Sequence, residues 1–177
     1  MKKRILIISA SPRRGGNSDY LCDQFMRGAE ESGHEVEKIF FHDKKINYCL
    51  GCGVCNTTHK CIQKDDMAVI LDKMVEADVL VFGTPVYFYT MDAQLKTLID
   101  RTVPRYTELS GKAYLVAALA DEDRDSIAGT VAAFQGFMDC LDNVEFAGAI
   151  VGYGAWNKGD IIGNPAVAEA YETGKNL

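Results

Sequence analysis

No apolar run in the chain reaches the roughly 18 residues that would mark a membrane-spanning helix. The longest are Ile5–Ile8 and Ala113–Ala120. Basic charge is also scarce, with 19 Lys and Arg against 25 Asp and Glu and a net charge of −6. An acidic surface disfavours nucleic acid and anionic membrane as partners, because phosphate binding is driven by basic patches. There is no internal repeat, no low-complexity segment and no Pro/Ser-rich linker. The GxGxxG of a dinucleotide fold and the GKS or GKT of a P-loop are missing. No His–carboxylate–nucleophile set demands hydrolysis.

What remains is the composition of a soluble globular protein. The chain has 177 residues, 47% hydrophobic and 25% charged, which fits one domain that buries its core without disulfide staples. The start, Met1-Lys2-Lys3-Arg4, is basic, but the apolar stretch after it stops at Ser9 and meets a polar, Gly-rich turn. It reads as a first strand and not as a signal peptide, which makes the cytoplasm the default compartment.

Strands and helices alternate. The spacing predicts strands over Arg4–Ser9, Val36–Phe41, Asp78–Gly83, Lys112–Ala120 and Val144–Val151. It predicts helices over Ser18–Ser32 (ended by Gly33), Asp65–Ala77, Asp92–Val103 (stopped by Pro104) and Ser126–Leu141, with Ser126 as N-cap. A last helix opens at Asn164-Pro165, with Asn as cap and Pro at the first helical position. Such alternation implies an α/β fold, a three-layer α/β/α sandwich around a five-stranded parallel sheet. Ligands of such sheets bind beyond the carboxyl ends of the strands. The loops Ala10–Asn17, Thr84–Met91 and Asp121–Asp125 should therefore meet.

The first of these, within Ser9-Ala10-Ser11-Pro12-Arg13-Arg14-Gly15-Gly16-Asn17-Ser18, joins a strand end to a helix start. Backbone N–H groups and the helix dipole favour an anion there. Ser11, Asn17 and Ser18 add neutral donors, and Arg13 or Arg14 a planar charged one. A mononucleotide's terminal phosphate suits this loop; the plainer reading is a Gly-rich turn with solvent-facing arginines. The second loop, Gly83-Thr84-Pro85-Val86-Tyr87-Phe88-Tyr89-Thr90-Met91, is aromatic where loops are usually polar. It could wall a flat ring, with backbone N–H groups of Val86 to Phe88 on the ring's polar edge, or plug an oligomer interface.

Four of the six cysteines fall in a loop over His42–Lys64. Cys49, Cys52, Cys55 and Cys61 read C-x2-C-x2-C-x5-C. Clustering in a reducing compartment points to a metal or redox centre rather than a disulfide framework. The tight triple plus a closing fourth is similar to the ligation of a [4Fe–4S] centre. Structural zinc more often uses two well-separated C-x2-C pairs, and reduced thiols or a dithiol pair are the further alternatives. Gly51 and Gly53 would let backbone N–H groups approach the sulfurs. His59 reads as a solvated loop residue, His34 and His42 as surface residues, and Cys22 and Cys140 as small packing residues.

Three stretches together, SPRRGGNS after the first strand, GTPVYFYTMDAQLKTLIDR and GDIIGNPAVAEAYETGK, resemble the flavodoxin-like NAD(P)H-dependent FMN reductase superfamily, and within it the iron-sulfur flavoproteins. The resemblance covers nearly the whole chain. It implies a single flavodoxin-like FMN-binding domain over 1–177 with a cysteine-rich loop at 42–64. It also implies FMN, with phosphate held by Ser11, Arg13, Gly16, Asn17 and Ser18 and the ring by Pro85, Val86, Tyr87 and Phe88. The family's third flavin loop is poorly matched by Ala120–Arg124, with its acidic Asp121-Glu122-Asp123. A [4Fe–4S] cluster on Cys49, Cys52, Cys55 and Cys61 and a homodimer or higher homo-oligomer are further implications. Exposed aromatics at Tyr87–Tyr89 and the GYGAW stretch, Gly152–Trp156, suit association.

The expected function is an FMN-dependent oxidoreductase. It would pass electrons from ferredoxin or NAD(P)H to a small acceptor such as a quinone or an oxygen species. The cofactors would carry the chemistry. A cluster-free NAD(P)H-dependent FMN or quinone reductase is the alternative within the enzymes. An electron carrier without a substrate site is the alternative outside them.

Overall fold

The computed structural model describes residues 1–177. Its centre is a sheet in the order β2-β1-β3-β5-β6. These strands are β1 (Arg4–Ser9), β2 (Glu35–Phe40), β3 (Val79–Tyr87), β5 (Ser110–Ala118) and β6 (Asn143–Gly152), all paired in parallel. The flavodoxin-like sheet expected from the sequence is thus present. A two-residue strand, β4 (Thr90–Met91), is added antiparallel to the end of β3.

Side chains of β1 leave the strand on alternate sides. Ile5 and Ile7 join Leu21, Phe25 and Ala29 of α1 (Asn17–Glu31) and Ala166 and Ala170 of α6 (Pro165–Lys175). Leu6 and Ile8 face the other layer. There they meet Ile70 and Met74 of α3 (Met67–Glu76), Leu95 and Leu98 of α4 (Ala93–Asp100), and Phe134 and Phe137 of α5 (Ala128–Met138). A single turn, α2 (Cys55–Thr58), lies in the cysteine loop. No helix is long and apolar enough to cross a membrane.

The element ends differ from expectation where local hydrogen bonds win. β3 runs four residues past Gly83, because its pairing with β5 continues to Pro85 opposite Ala118 and Val86 and Tyr87 then pair with β4. Ser126 is not a helix cap. A 3-10 turn over Arg124–Ile127 precedes α5, and Asp123 caps it by accepting from the Asp125 N–H. The Ser126 hydroxyl instead donates to Asp121 at 2.6 Å. α4 ends at Asp100, ahead of the expected Val103, and turns follow through Arg105. Asn164 does cap α6, accepting from Ala166 N–H, with Pro165 at the first position.

Candidate functional site

β1 lies between β2 and β3, so the chain leaves it in opposite directions, the switch point at which parallel sheets bind ligands. Ala10 N–H donates to the Gly83 carbonyl at 2.8 Å, which sets the loop after β1 beside the end of β3. Ser11 Oγ donates to the Arg13 carbonyl at 2.9 Å and accepts from Arg13 N–H at 3.2 Å. This folds the loop back toward α1. Gly16 fits only without a side chain, since a Cβ would stand 2.8 Å from the Arg13 carbonyl oxygen and 3.0 Å from Ser11 Oγ. Beyond it, the N–H groups of Asn17, Ser18 and Asp19 have no acceptor in the protein. They form the open amide end of a fifteen-residue helix.

Besides Gly16, the four other expected phosphate residues divide into two groups. Ser18 carries a hydroxyl with no protein partner, and Arg13 is exposed and unpaired. Ser11 and Asn17 have spent their side chains on shape. Asn17 Nδ2 donates to the carbonyls of Ala155 at 3.0 Å and Asn157 at 2.8 Å, and its Oδ1 accepts from Gly159 N–H at 3.0 Å. Arg14, the other candidate cation, is tied to Asp43 and lies 4.3 Å over the Phe40 ring. Lys158 was not singled out from the sequence. Its Nζ donates to the Arg14 carbonyl at 2.9 Å and brings a cation to the loop.

Asp19 is a buried carboxylate in this anion-seeking turn. Burial alone would raise its pKa, but the Lys38 ammonium beside it and the Gly15 N–H, which donates to Oδ2 at 2.7 Å, hold it below the usual carboxylate range. Lys38 Nζ stands 2.6 Å from Oδ1 and neutralises it. The signal was a lysine in the middle of β2 and an acid in the first turn of α1.

The expected aromatic wall is a hairpin. Val86 pairs with Met91 and Tyr87 with Thr90, which leaves Phe88 and Tyr89 as the turn, at φ +49° and +63°. Two left-handed residues in a two-residue turn usually call for Asn-Gly. A bulky side chain there costs roughly 1–2 kcal/mol. Phe88 is nevertheless 99% exposed and Tyr89 65%, so burial does not offset the strain. Gly129 lets α5 press on the tip, because a Cβ there would collide with the Tyr89 carbonyl oxygen. Pro85 and Val86 are half-buried and Tyr87 is exposed, all at the carboxyl end of β3, the end of the sheet that also carries the first loop.

Behind the hairpin, Asp92 caps α4. Its Oδ1 accepts from Leu95 N–H at 2.9 Å and Thr84 Oγ1 at 3.2 Å, while Oδ2 is buried without a donor. Burial pushes its carboxyl up to about 7, although Leu95 and Thr84 oppose the rise.

The third loop spends its acids on itself. Asp121 accepts from Asp123 N–H at 3.0 Å, and Gly154 N–H donates to the Asp121 carbonyl at 3.0 Å. Arg124 lies 5.4 Å over the Tyr153 ring.

Cys49, Cys52, Cys55 and Cys61 all line one cavity of about 200 Å³, with Leu50, Ile62 and Val103. As placed, no three Cys, His, Asp or Glu side chains draw close enough to clasp a metal ion. Gly51 N–H donates to Cys49 Sγ at 3.5 Å. His59 is exposed, as expected of a solvated residue. Beneath the loop, Arg101 makes a two-pronged, buried pair with Asp65 and holds its carboxyl below the usual range. Cys22 is buried, and burial pushes its thiol up to about 12, an inert packing residue. Cys140 is not one. It is exposed just past the end of α5, its Sγ 3.3 Å from the Gly136 carbonyl.

Residues 3–160 match the NADPH-dependent FMN reductase family. The chain belongs to that family. An iron-sulfur flavoprotein from Archaeoglobus fulgidus is 43% identical over 97 residues, which are 55% of this chain and 44% of that protein. One from Methanosarcina thermophila is 37% identical over 100 residues, 56% and 52% of the two chains. The chain spans about half the length of these curated relatives. Among solved structures, an NAD(P)H:quinone oxidoreductase from Methanothermobacter marburgensis shares the fold with a TM-score of 0.79 at 18% identity, covering 100% of this chain and 96% of its own. An azoreductase from Bacillus anthracis does so at 0.72 and 20%, with both chains fully covered. The FMN reductase family calls for FMN, and the residues present fit it. Open helix amides, a glycine no Cβ could replace and a free arginine stand at the same carboxyl end of the sheet as an exposed aromatic hairpin.

Proposed function

We propose that the chain is one FMN-binding domain of an oxidoreductase that moves electrons from ferredoxin or NAD(P)H to a small acceptor, such as a quinone or an oxygen species. The observation that carries this is the anion cradle at the β1–α1 junction, set beside the hairpin of β3 and β4 at the switch point of the sheet. Bound FMN supplies one- and two-electron chemistry, and a [4Fe–4S] cluster supplies one-electron chemistry. The amides of Asn17, Ser18 and Asp19, with Ser18 Oγ and Arg13, hold the flavin phosphate. Ser11, Gly16 and Asn17 keep that loop in shape. Pro85, Val86, Tyr87 and Phe88 orient the ring.

Cys49, Cys52, Cys55 and Cys61 hold the cluster in this reading. Their shared cavity and the Gly51 N–H at the Cys49 sulfur support it, since backbone N–H groups on sulfur tune such centres. The curated relatives' name, iron-sulfur flavoprotein, supports it as well. The exposed Phe88, Tyr89 and Trp156 support a homodimer joined beside the flavin, and the free thiols support a cytoplasmic setting. A cluster-free NAD(P)H-dependent reductase is the second reading, favoured by the separation of the cysteine side chains.

Flavin, iron and acid-labile sulfide assays on protein purified without oxygen decide between them. FMN with iron and sulfide is expected. FMN without either removes the cluster, and protein that takes up no flavin ends the whole proposal.

A further inference from the structure

A carboxylate within one helical turn of a phosphate repels it. Asp19 is nevertheless the third residue of α1, and its own N–H is one of the three open amides of the cradle. Ser18 beside it is 2% exposed, with a hydroxyl that no protein group meets. The Asp19 carboxylate shapes the loop: its Oδ2 accepts from Gly15 N–H at 2.7 Å and fixes the turn in which Gly15 takes φ +64°. An acid at this place also suits the positive end of the helix dipole while no ligand is bound.

The charge that cancels it comes from another element. Lys38, opposite Ile7 in the register of β1 and β2, reaches across to α1. Its Nζ stands 2.6 Å from Asp19 Oδ1 and donates to Asp23 Oδ1 at 2.5 Å and to the Asp19 carbonyl at 3.4 Å. Asp19 and Asp23 are four residues apart and share one face of the helix. The Asp23 side chain is 41% exposed, but those of Asp19 and Lys38 are only 3% and 15% exposed. Water and salt therefore screen Asp23, whereas the buried Asp19 charge depends on its partner. No other Lys or Arg pairs with Asp19: Arg14 is held by Asp43, and Lys158 by the Arg14 carbonyl.

We propose that Lys38 is a positioning residue for flavin-phosphate binding: it neutralises Asp19, so that this acid can pin Gly15 without repelling a phosphate at the amides of its own turn. The inference rests on the flavin-phosphate reading above. With Lys38 in place, Asp19, Lys38 and Asp23 together carry a single negative charge, and it falls on the exposed acid. Without Lys38 a second, buried charge faces the start of α1. The effect is on the charge of the ligand, so it separates FMN from riboflavin, whose ring and ribityl chain are the same.

The test measures FMN and riboflavin binding to the flavin-free full chain as wild type, Lys38→Met, Asp19→Asn and the double variant Asp19→Asn/Lys38→Met, with circular dichroism as the check of the fold. Asn keeps an acceptor for Gly15 N–H. Lys38→Met should weaken FMN about tenfold or more and leave riboflavin near wild type. Asp19→Asn, which leaves the lysine in surplus, should tighten FMN several-fold. The double variant should bring FMN back close to wild type, because the two charges leave together. A folded Lys38→Met with wild-type FMN affinity overturns the inference. So does an equal loss of both flavins, which assigns the pair to the shape of the turn alone. Where Lys38→Met does not fold, the other two decide: Asp19→Asn with FMN no tighter than wild type, or a double variant with FMN weakened relative to riboflavin, overturns it as well. Wild-type protein that binds FMN no better than riboflavin is a different failure: it removes the phosphate reading itself, and this inference with it.

Discussion

Replacing Asp92 by Asn should remove a pH-dependent weakness from the fold. Asp92 is 1% exposed, and only one of its two oxygens has donors. Burial raises its pKa from 3.8 to about 7, against the pull of Leu95 and Thr84. A carboxyl with a folded pKa above its unfolded one holds its proton more tightly in the native state, so ionisation subtracts stability. The sign follows. The cost is absent below the unfolded value, grows as pH rises from there, and is complete above the folded value of about 7. At about 1.4 kcal/mol per unit the whole cost is roughly 4 kcal/mol, of which roughly 3 kcal/mol falls between about pH 5 and pH 8. These are ceilings, because relaxation and water entry reduce them. Asn keeps the Oδ1 acceptor and caps helices as well as Asp. Its amide places an unpaired donor where Oδ2 was, a cost of about 1–3 kcal/mol that does not depend on pH. The prediction therefore concerns the slope. Urea unfolding of flavin-free wild type and Asp92→Asn at the two pH values should show the variant gaining on wild type by a few kcal/mol as pH rises. Groups common to both proteins cancel. A stability difference that stays constant with pH would refute the reasoning.

Three further outcomes are expected. Arg13→Ala should weaken FMN binding about tenfold or more, the worth of a charge-assisted hydrogen bond, whereas Arg14→Ala, already committed to Asp43 and Phe40, should leave the affinity near wild type by fluorescence titration. Gly16→Ala pushes a Cβ onto the Arg13 carbonyl and should cost FMN affinity at least as much, while circular dichroism stays native. Phe88→Gly relieves a left-handed backbone without removing any burial, and should stabilise the flavin-free protein by about 1 kcal/mol in denaturant unfolding while loosening the flavin.

Much of this architecture could be read from the chain. Arg-Ile-Leu-Ile-Ile-Ser is buried along nearly its whole length, as a strand covered on both faces must be. Asn164-Pro165 opens its helix as the pair requires. The meeting of the first and third strand-end loops followed from strand alternation alone, and β1 does pair with β3. The hairpin was not readable, because Phe88-Tyr89 occupies a turn that favours Asn-Gly; the structure meets the strain by clamping the tip against Gly129. Ser126 failed as a cap because its hydroxyl donates to Asp121, and Asp123 caps the 3-10 turn ahead of α5 by accepting from Asp125 N–H. The Asp65–Arg101 pair spans 36 residues, and nothing local marks that arginine as buried. Asn17 was expected at the phosphate, yet its side chain is used up by carbonyls more than a hundred residues away, a contact no local pattern encodes.

Calorimetric titration of the flavin-free protein with FMN and with riboflavin separates the anion cradle from everything else. Tight FMN binding, with riboflavin weaker by about a hundredfold, is the expected result, since the two differ only in the phosphate that charge-assisted N–H groups hold. Equal affinities, or no binding of either, would contradict a flavin phosphate at the start of α1.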